Sequence, residues 1–158
     1  MRLLLAIIML SALLAPGPVF AQGCGDNVME ALQKYPVAFR GQVTETDVKK
    51  LEKWFPSLFT GPDTETTFVV LGAYKGVPLG KVTVEHFSVS QDPAVNVGFN
   101  PGAQYLIFTA PDAENGLRLQ SCKQVFPVAK PDVQQTAAEL DLISGGLEKL
   151  RTQLSGQY

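Results

Sequence analysis

Histidine and cysteine are scarce in this chain, whose 158 residues carry one histidine and two cysteines. That scarcity removes whole classes of chemistry. A metal centre wants several His, Cys or carboxylate ligands converging, and a nucleophilic site wants a base beside its nucleophile. His86 has only Glu85 as an acidic neighbour in sequence, and it reads as a structural histidine within a strand. No H-E-x-x-H, C-x-x-C, G-x-S-x-G, Walker loop or dinucleotide fingerprint occurs. Scattered acids such as Glu45, Glu65, Asp92 and Glu114 are surface charge. The expectation is a binding module with no catalytic residue, no metal and no cofactor.

A surplus of charge is missing as well. Thirteen Lys and Arg stand against fifteen Asp and Glu, for a formal net charge of -2, so nothing recommends nucleic acid or anionic lipid as a partner. There is also no apolar run long enough to span a bilayer, which takes about 20 residues. Leu3 to Leu14 falls short of that and is followed by Pro16-Gly17-Pro18, which would break a continued helix. With Arg2 before it and Val19-Phe20-Ala21 offering small residues to a signal peptidase, it reads as a signal peptide over 1–21. Cleavage after Ala21 leaves Gln22 as the first mature residue, in a secreted or periplasmic protein. Residues 22–158 are the size of one domain.

Both cysteines lie beyond that cleavage site, and an even number in an exported chain points to a Cys24–Cys122 disulfide. By the chain-entropy model a loop of about 100 residues gains roughly 4 to 5 kcal/mol from such a link, an upper figure. The competing use of Cys24 is acylation, the one route by which a membrane would become a partner. Ala21-Gln22-Gly23 fits a lipobox poorly.

What is present is mostly strand. Tyr105-Leu106-Ile107-Phe108 and Leu117-Arg118-Leu119-Gln120, joined through Pro111-Asp112 and Asn115-Gly116, predict a β-hairpin. Alternation places Leu117 and Leu119 on one face and Arg118, Gln120 and Cys122 on the other, so Cys122 is expected to point away from the core. Asp26-Asn27 caps a short helix carrying Val28, Ala31, Leu32 and Tyr35 and stopped by Pro36. Val37 to Thr44 alternates as a first strand. Thr66 to Tyr74 is a second, apolar on both faces and so central or curled, with a bulge at Gly72. Lys81 to Ser88 is a third, and its shift of phase between Val84 and Phe87 predicts a bulge near Glu85-His86.

Thr46 to Leu58 reads as a turn or two of helix capped by Asp47. It exposes Lys49, Lys50 and Lys53 on a solvated face and holds Trp54 and Phe55, a candidate partner contact. Val125 to Val128 leaves the sheet. A final helix over about 132–154, with Asp132 as N-cap and Gln135 completing a capping box, carries the stripe Val133, Ala137, Leu140, Ile143, Leu147, Leu150 and Leu154, expected to pack on the sheet. Gly145-Gly146 predicts a hinge or a division into two helices. The whole is an all-β fold with flanking helices: a five-stranded Greek-key OB-type barrel over about 37–127 plus a C-terminal helix.

Phe39-Arg40-Gly41-Gln42-Val43, Phe68-Val69-Val70 leading to Tyr74-Lys75-Gly76, Lys81-Val82-Thr83-Val84, Tyr105 to Phe108, and Asn115-Gly116-Leu117 to Cys122 follow one another in an order and spacing that resembles the netrin-like domains. Within them, the chain is similar to the inhibitory domain of the tissue inhibitors of metalloproteinases. The resemblance implies an extracellular protein-binding role on an OB-type barrel. Those inhibitors hold a protease zinc with the free amine and carbonyl of the first cysteine in a Cys-x-Cys start. Here Gln22-Gly23-Cys24 keeps only the second cysteine, whose family partner matches Cys122. The first would align with Gln22, and its partner near Val97-Gly98, so both members of that bridge are absent together. The implied contact ridge is Gln22, Gly23, Cys24 and Gly25, and the implied partner is another protein, an extracellular metalloprotease in the most concrete form. An envelope-attached component acylated at Cys24 is the alternative.

Overall fold

The computed structural model describes residues 24–49, 61–77, 79–88, 92 and 94–155. Its first element is α1 (Val28–Lys34), begun by Asn27, whose side chain accepts the Glu30 N–H at 3.0 Å, and ended at Tyr35 before Pro36. Six strands follow: β1 (Val37–Val48), β2 (Thr64–Lys75), β3 (Gly80–His86), β4 (Gln104–Pro111), β5 (Leu117–Arg118) and β6 (Val125–Pro127). A 3-10 turn, Cys122–Gln124, precedes β6, and α2 (Pro131–Ser155) closes the chain.

The strand order β1-β2-β3-β5-β4 returns to β1 through a β1–β4 pairing, which makes a closed five-stranded OB-type barrel; β6 is added on β4. Among the pairings of these strands, β3 with β5 is the parallel one. Closure requires β1 and β2 to curl, and three register shifts between them provide the bend. One lies where the partner of β1 jumps from Gly72 opposite Arg40 to Val70 opposite Gly41. A Cβ on Gly72 would stand 2.6 Å from Asp141 Oδ1 and 2.8 Å from the Tyr74 hydroxyl, so the glycine makes room for a contact between the barrel and α2.

The barrel interior is filled by Phe39, Val43, Phe68, Val84, Ile107 and Leu119 with their neighbours. Phe99 lies over them, edge-on to Phe68, His86 and Tyr105 with centroids 5.0 Å apart in each case. A second cluster lies outside the barrel wall, where Ala38, Leu106, Phe108 and Phe126 meet Ala31 of α1 and Val133 and Ala137 of α2. Because β4 faces both clusters, Tyr105 to Phe108 is an unbroken apolar run. The hairpin turn has Asn115 at φ 62°, the left-handed conformation that Asn tolerates.

Several local expectations are overturned. Thr46, Asp47 and Val48 extend β1, opposite Thr66, Glu65 and Thr64, so Asp47 caps no helix. The remainder of that segment, Trp54 and Phe55 included, lies outside the described residues. Strand β3 pairs with β2 in unbroken register from Gly80 to His86, without a bulge, and His86 therefore points inward beside Val84. Cys122 is buried, 5% exposed, because the chain leaves β5 after Arg118 and turns through the 3-10 segment, which cancels the alternation. Val125–Pro127 stays in the sheet as β6, paired with Tyr105 to Ile107.

Helix α2 starts at Pro131, whose missing N–H costs nothing in a first turn, and Asp132 is in that turn instead of capping it. It runs unbroken through Gly145 and Gly146. Of its stripe, Val133 and Ala137 are buried, whereas Ile143 and Leu147 are exposed.

Candidate functional site

The described chain begins at Cys24, and the structure fixes it to the barrel there twice. A disulfide joins Cys24 to Cys122 across 98 positions of sequence, with the Cα atoms 5.2 Å apart. Beside it, the Cys24 N–H donates to the Cys122 carbonyl at 3.1 Å. Cys24 itself remains exposed.

Gly25 comes next and is buried against the ring of Phe126. A Cβ at Gly25 would lie 2.7 Å from Phe126 Cε2 and closer still to Cε1 and Cζ, nearer than real side chains approach. Phe126 is held in turn by Phe108, edge-on at 5.5 Å. Of the residues expected in the contact ridge, Cys24 is thus placed on the surface and Gly25 beneath it as the seat. Gln22 and Gly23 lie outside the described residues.

The seat is braced from the other side by Cys122. Its N–H donates to the Ala94 carbonyl at 2.9 Å, and the Ser121 hydroxyl donates to the same carbonyl at 3.3 Å. Ser121 also begins a capping box, with Gln124 Oε1 accepting from the Gln120 and Ser121 N–H groups at 2.7 and 2.9 Å. Buried Gln124 finishes by donating to the Phe108 carbonyl at 2.8 Å. A network of this kind is rigid because each buried polar group has its partner.

The loop that supplies Ala94 is ordered by Asp92, which accepts the Ala94 N–H at 2.9 Å, and by the bond from Val97 N–H to the Phe87 carbonyl at 2.8 Å. The resemblance placed the second family bridge near Val97-Gly98. In this chain, backbone hydrogen bonds at Ala94 join the same loop to the cysteine region. No sequence signal could have named Ala94, since it meets the cysteine region through its backbone carbonyl.

His86 lies under that loop. It is 1% exposed, its Nε2 is 2.8 Å from the Thr66 hydroxyl, and its Nδ1 has no hydrogen-bond partner. Burial holds its pKa below the ordinary histidine value, against the opposing pull of the Phe87 carbonyl, the Asp63 carboxylate and the Val97 carbonyl. An imidazole kept neutral and sealed in the core has no access to a substrate.

A cluster of charged groups joins Lys49, just past the end of β1, to Glu85 of β3 and Arg118 of β5. Glu85 takes Lys49 at 2.6 Å and Arg118 at 3.0 Å, and Arg118 also reaches Asp112 at 3.4 Å. The hydrogen bond from Lys49 holds the Glu85 carboxyl below its usual range, burial opposing and Arg118 assisting. For Lys49, burial alone would lower the pKa, but Glu85 and then Glu65 turn the net shift upward. Lys49 is therefore committed to an ion-pair network and is not part of a solvated basic face.

Among the described residues, no group of three or more His, Cys, Asp or Glu side chains is arranged to hold a metal ion. Nor is any described helix long and apolar enough to cross a membrane. No protein-family model and no curated protein matches this chain.

Proposed function

We propose that this is an exported, non-enzymatic protein-binding module, similar to the netrin-like domains, that presents its tethered N-terminus to another protein. The observation that carries this reading is the double attachment of Cys24, by sulfur and by backbone, to Cys122, which is itself hydrogen-bonded to Ala94. A short segment leading into such an anchor loses less conformational entropy on binding than a free tail does. Gln22, Gly23 and Cys24 form the contact ridge, and Gly25 is its seat on Phe126. Export agrees with a disulfide, which persists in oxidising compartments.

In its most concrete form the partner is an extracellular zinc metalloprotease whose cleft receives the ridge. This chain has Gln22 where the inhibitors have a cysteine, and an N-terminal glutamine cyclises readily, which removes the basic amine that would meet zinc. Inhibition therefore rests on backbone filling the cleft. A Cys24 sulfur bonded to Cys122 is not free to carry an acyl chain, which favours the tethered module over the lipoprotein alternative. Titrating mature protein against a panel of zinc proteases tests the reading. Saturable inhibition at micromolar protein is expected, and its absence across the panel removes the protease from the proposal.

A further inference from the structure

His86 is the chain's one histidine, and the segment from Ala94 to Asn100 packs against it. Phe99 stands edge-on to its ring at 5.0 Å, and Val97, 1% exposed, donates its N–H to the carbonyl of the next residue, Phe87, at 2.8 Å. The segment lies outside strands β1 to β6. A single bridge pairs Asn96 with Phe87, the Asn100 N–H donates to the Tyr105 hydroxyl at 3.1 Å, and the Ala94 carbonyl accepts from Cys122 and Ser121. That last contact joins the cover of the histidine to the anchor of the N-terminal segment.

The site has no place for a second proton. A neutral imidazole carries one N–H, and the Thr66 hydroxyl can meet Nε2 as donor or acceptor. An imidazolium donates from both nitrogens, and Nδ1 has no hydrogen-bond partner. The neighbouring Phe87 carbonyl is taken by Val97. No charged side chain occurs from Ala94 to Asn100. Glu85, on the other face of β3, is engaged by Lys49 and Arg118. Asp63, before β2, is the carboxylate whose field reaches the ring, and it accepts from the Ser88 N–H and hydroxyl at 2.7 and 2.9 Å. Tyr105, across Phe99, is pushed above its ordinary pKa by burial and stays uncharged. A charge on His86 is therefore relieved by reaching water.

We propose that Ala94 to Asn100 is an acid-released strap: protonation of His86 lifts it from the ring and withdraws the Ala94 carbonyl from Cys122. With the strap open, the hydrated ring takes its proton near the ordinary value of about 6.5, whereas the closed form, its pKa lowered by burial, takes one only in stronger acid. Linkage fixes the sign. Closure is strongest above pH 6.5, and below it the opening constant rises by up to about tenfold per pH unit until the closed form protonates as well. The effect on partner binding rests on the proposed ridge, whose anchor acid would loosen; the strap itself does not.

Amide hydrogen exchange of the disulfide-intact mature protein from about pH 7.5 to 5, corrected for the intrinsic exchange rate, tests it. That range stays above ordinary carboxylate values. Protection of the Val97 and Cys122 amides should fall by up to about tenfold per pH unit below 6.5, while amides in the β1–β2 and β1–β4 ladders keep theirs. His86→Gln and His86→Phe, neither of which takes a proton, should each remove the pH dependence. Protection at Val97 that holds to pH 5 overturns the proposal. So does a loss shared equally by the barrel ladders, a fall at Val97 that Cys122 does not share, or a pH dependence that survives in the variants. Each is read without a partner, so failure of the strap and failure of the ridge are separate results.

Discussion

Replacing Gly25 by alanine adds a single methyl group at the point where the N-terminal segment crosses Phe126. The new Cβ would press on three ring carbons, all nearer than 3.0 Å. Neither side can yield freely. Phe126 is 2% exposed and lodged against Phe108, and the backbone of Gly25 is held one residue away by the Cys24–Cys122 bridge. Overpacking of this kind costs about 1 to 3 kcal/mol. In a domain of this size that amounts to a fall in melting temperature of about 3 to 5 °C per kcal/mol, between the values for smaller and larger domains. Urea denaturation, with the slope checked for constancy, measures it. Because the strain depends on the tether, the same substitution made with Cys24→Ala and Cys122→Ala should cost less, and the cycle should show a coupling energy of about 0.5 to 3 kcal/mol. A Gly25→Ala protein as stable as the parent, bridge intact, would refute the packing of this segment on Phe126, and with it the seat of the proposed ridge.

Removing the bridge alone, by reduction or by Cys24→Ala with Cys122→Ala, should lower unfolding free energy by up to about 4 to 5 kcal/mol, read as a shift in urea midpoint. Acid should destabilise the fold in two stages. Burial depresses the His86 pKa in the folded state, so the unfolded chain binds that proton more readily; stability is full above about pH 6.5 and declines below it by at most about 1.4 kcal/mol per pH unit. Glu85, held low by Lys49 and Arg118, adds a second loss as pH falls below its ordinary value of 4.5. Urea midpoints measured from about pH 8 down to about pH 2 resolve both stages, and His86→Gln should flatten only the first. Gly145→Ala and Gly146→Ala, where a Cβ meets nothing within 4 Å, should each stabilise α2 by up to about 1 kcal/mol, visible as a higher melting temperature.

Much of this architecture could be read from residue order because local preference and tertiary demand agree. Asn27 caps α1, Asn115-Gly116 turns the hairpin, Tyr105 to Phe108 is apolar on both faces because it separates two clusters, and Gly72 lies at a bulge. The misreadings come where one element overrides another. Asp47 resembles a cap, but Thr46 and Val48 have paired partners on β2 that a helix would forfeit. The spacing from Val84 to Phe87 suggests a change of phase in β3, while the Thr66 hydroxyl offers His86 a hydrogen bond that lets it stay inside. Counting by alternation sent Cys122 outward, because the turn begun by Ser121 is invisible to a two-residue period. The candidate site was half legible. The cysteine pair stands out in any exported chain, but a bond through the Ala94 carbonyl and a glycine seated on an aromatic ring leave no pattern in sequence.

Everything proposed for the N-terminus rests on export, on where the leader is removed and on what the two sulfurs do. Intact mass and N-terminal sequencing of protein recovered from outside the cytoplasm, before and after reduction, decide both. A chain starting at residue 22, as glutamine or its cyclised form, that gains only the mass of the hydrogens capping the separated sulfurs is the expected result. A chain carrying two free thiols, or one beginning at an acylated Cys24, would contradict it.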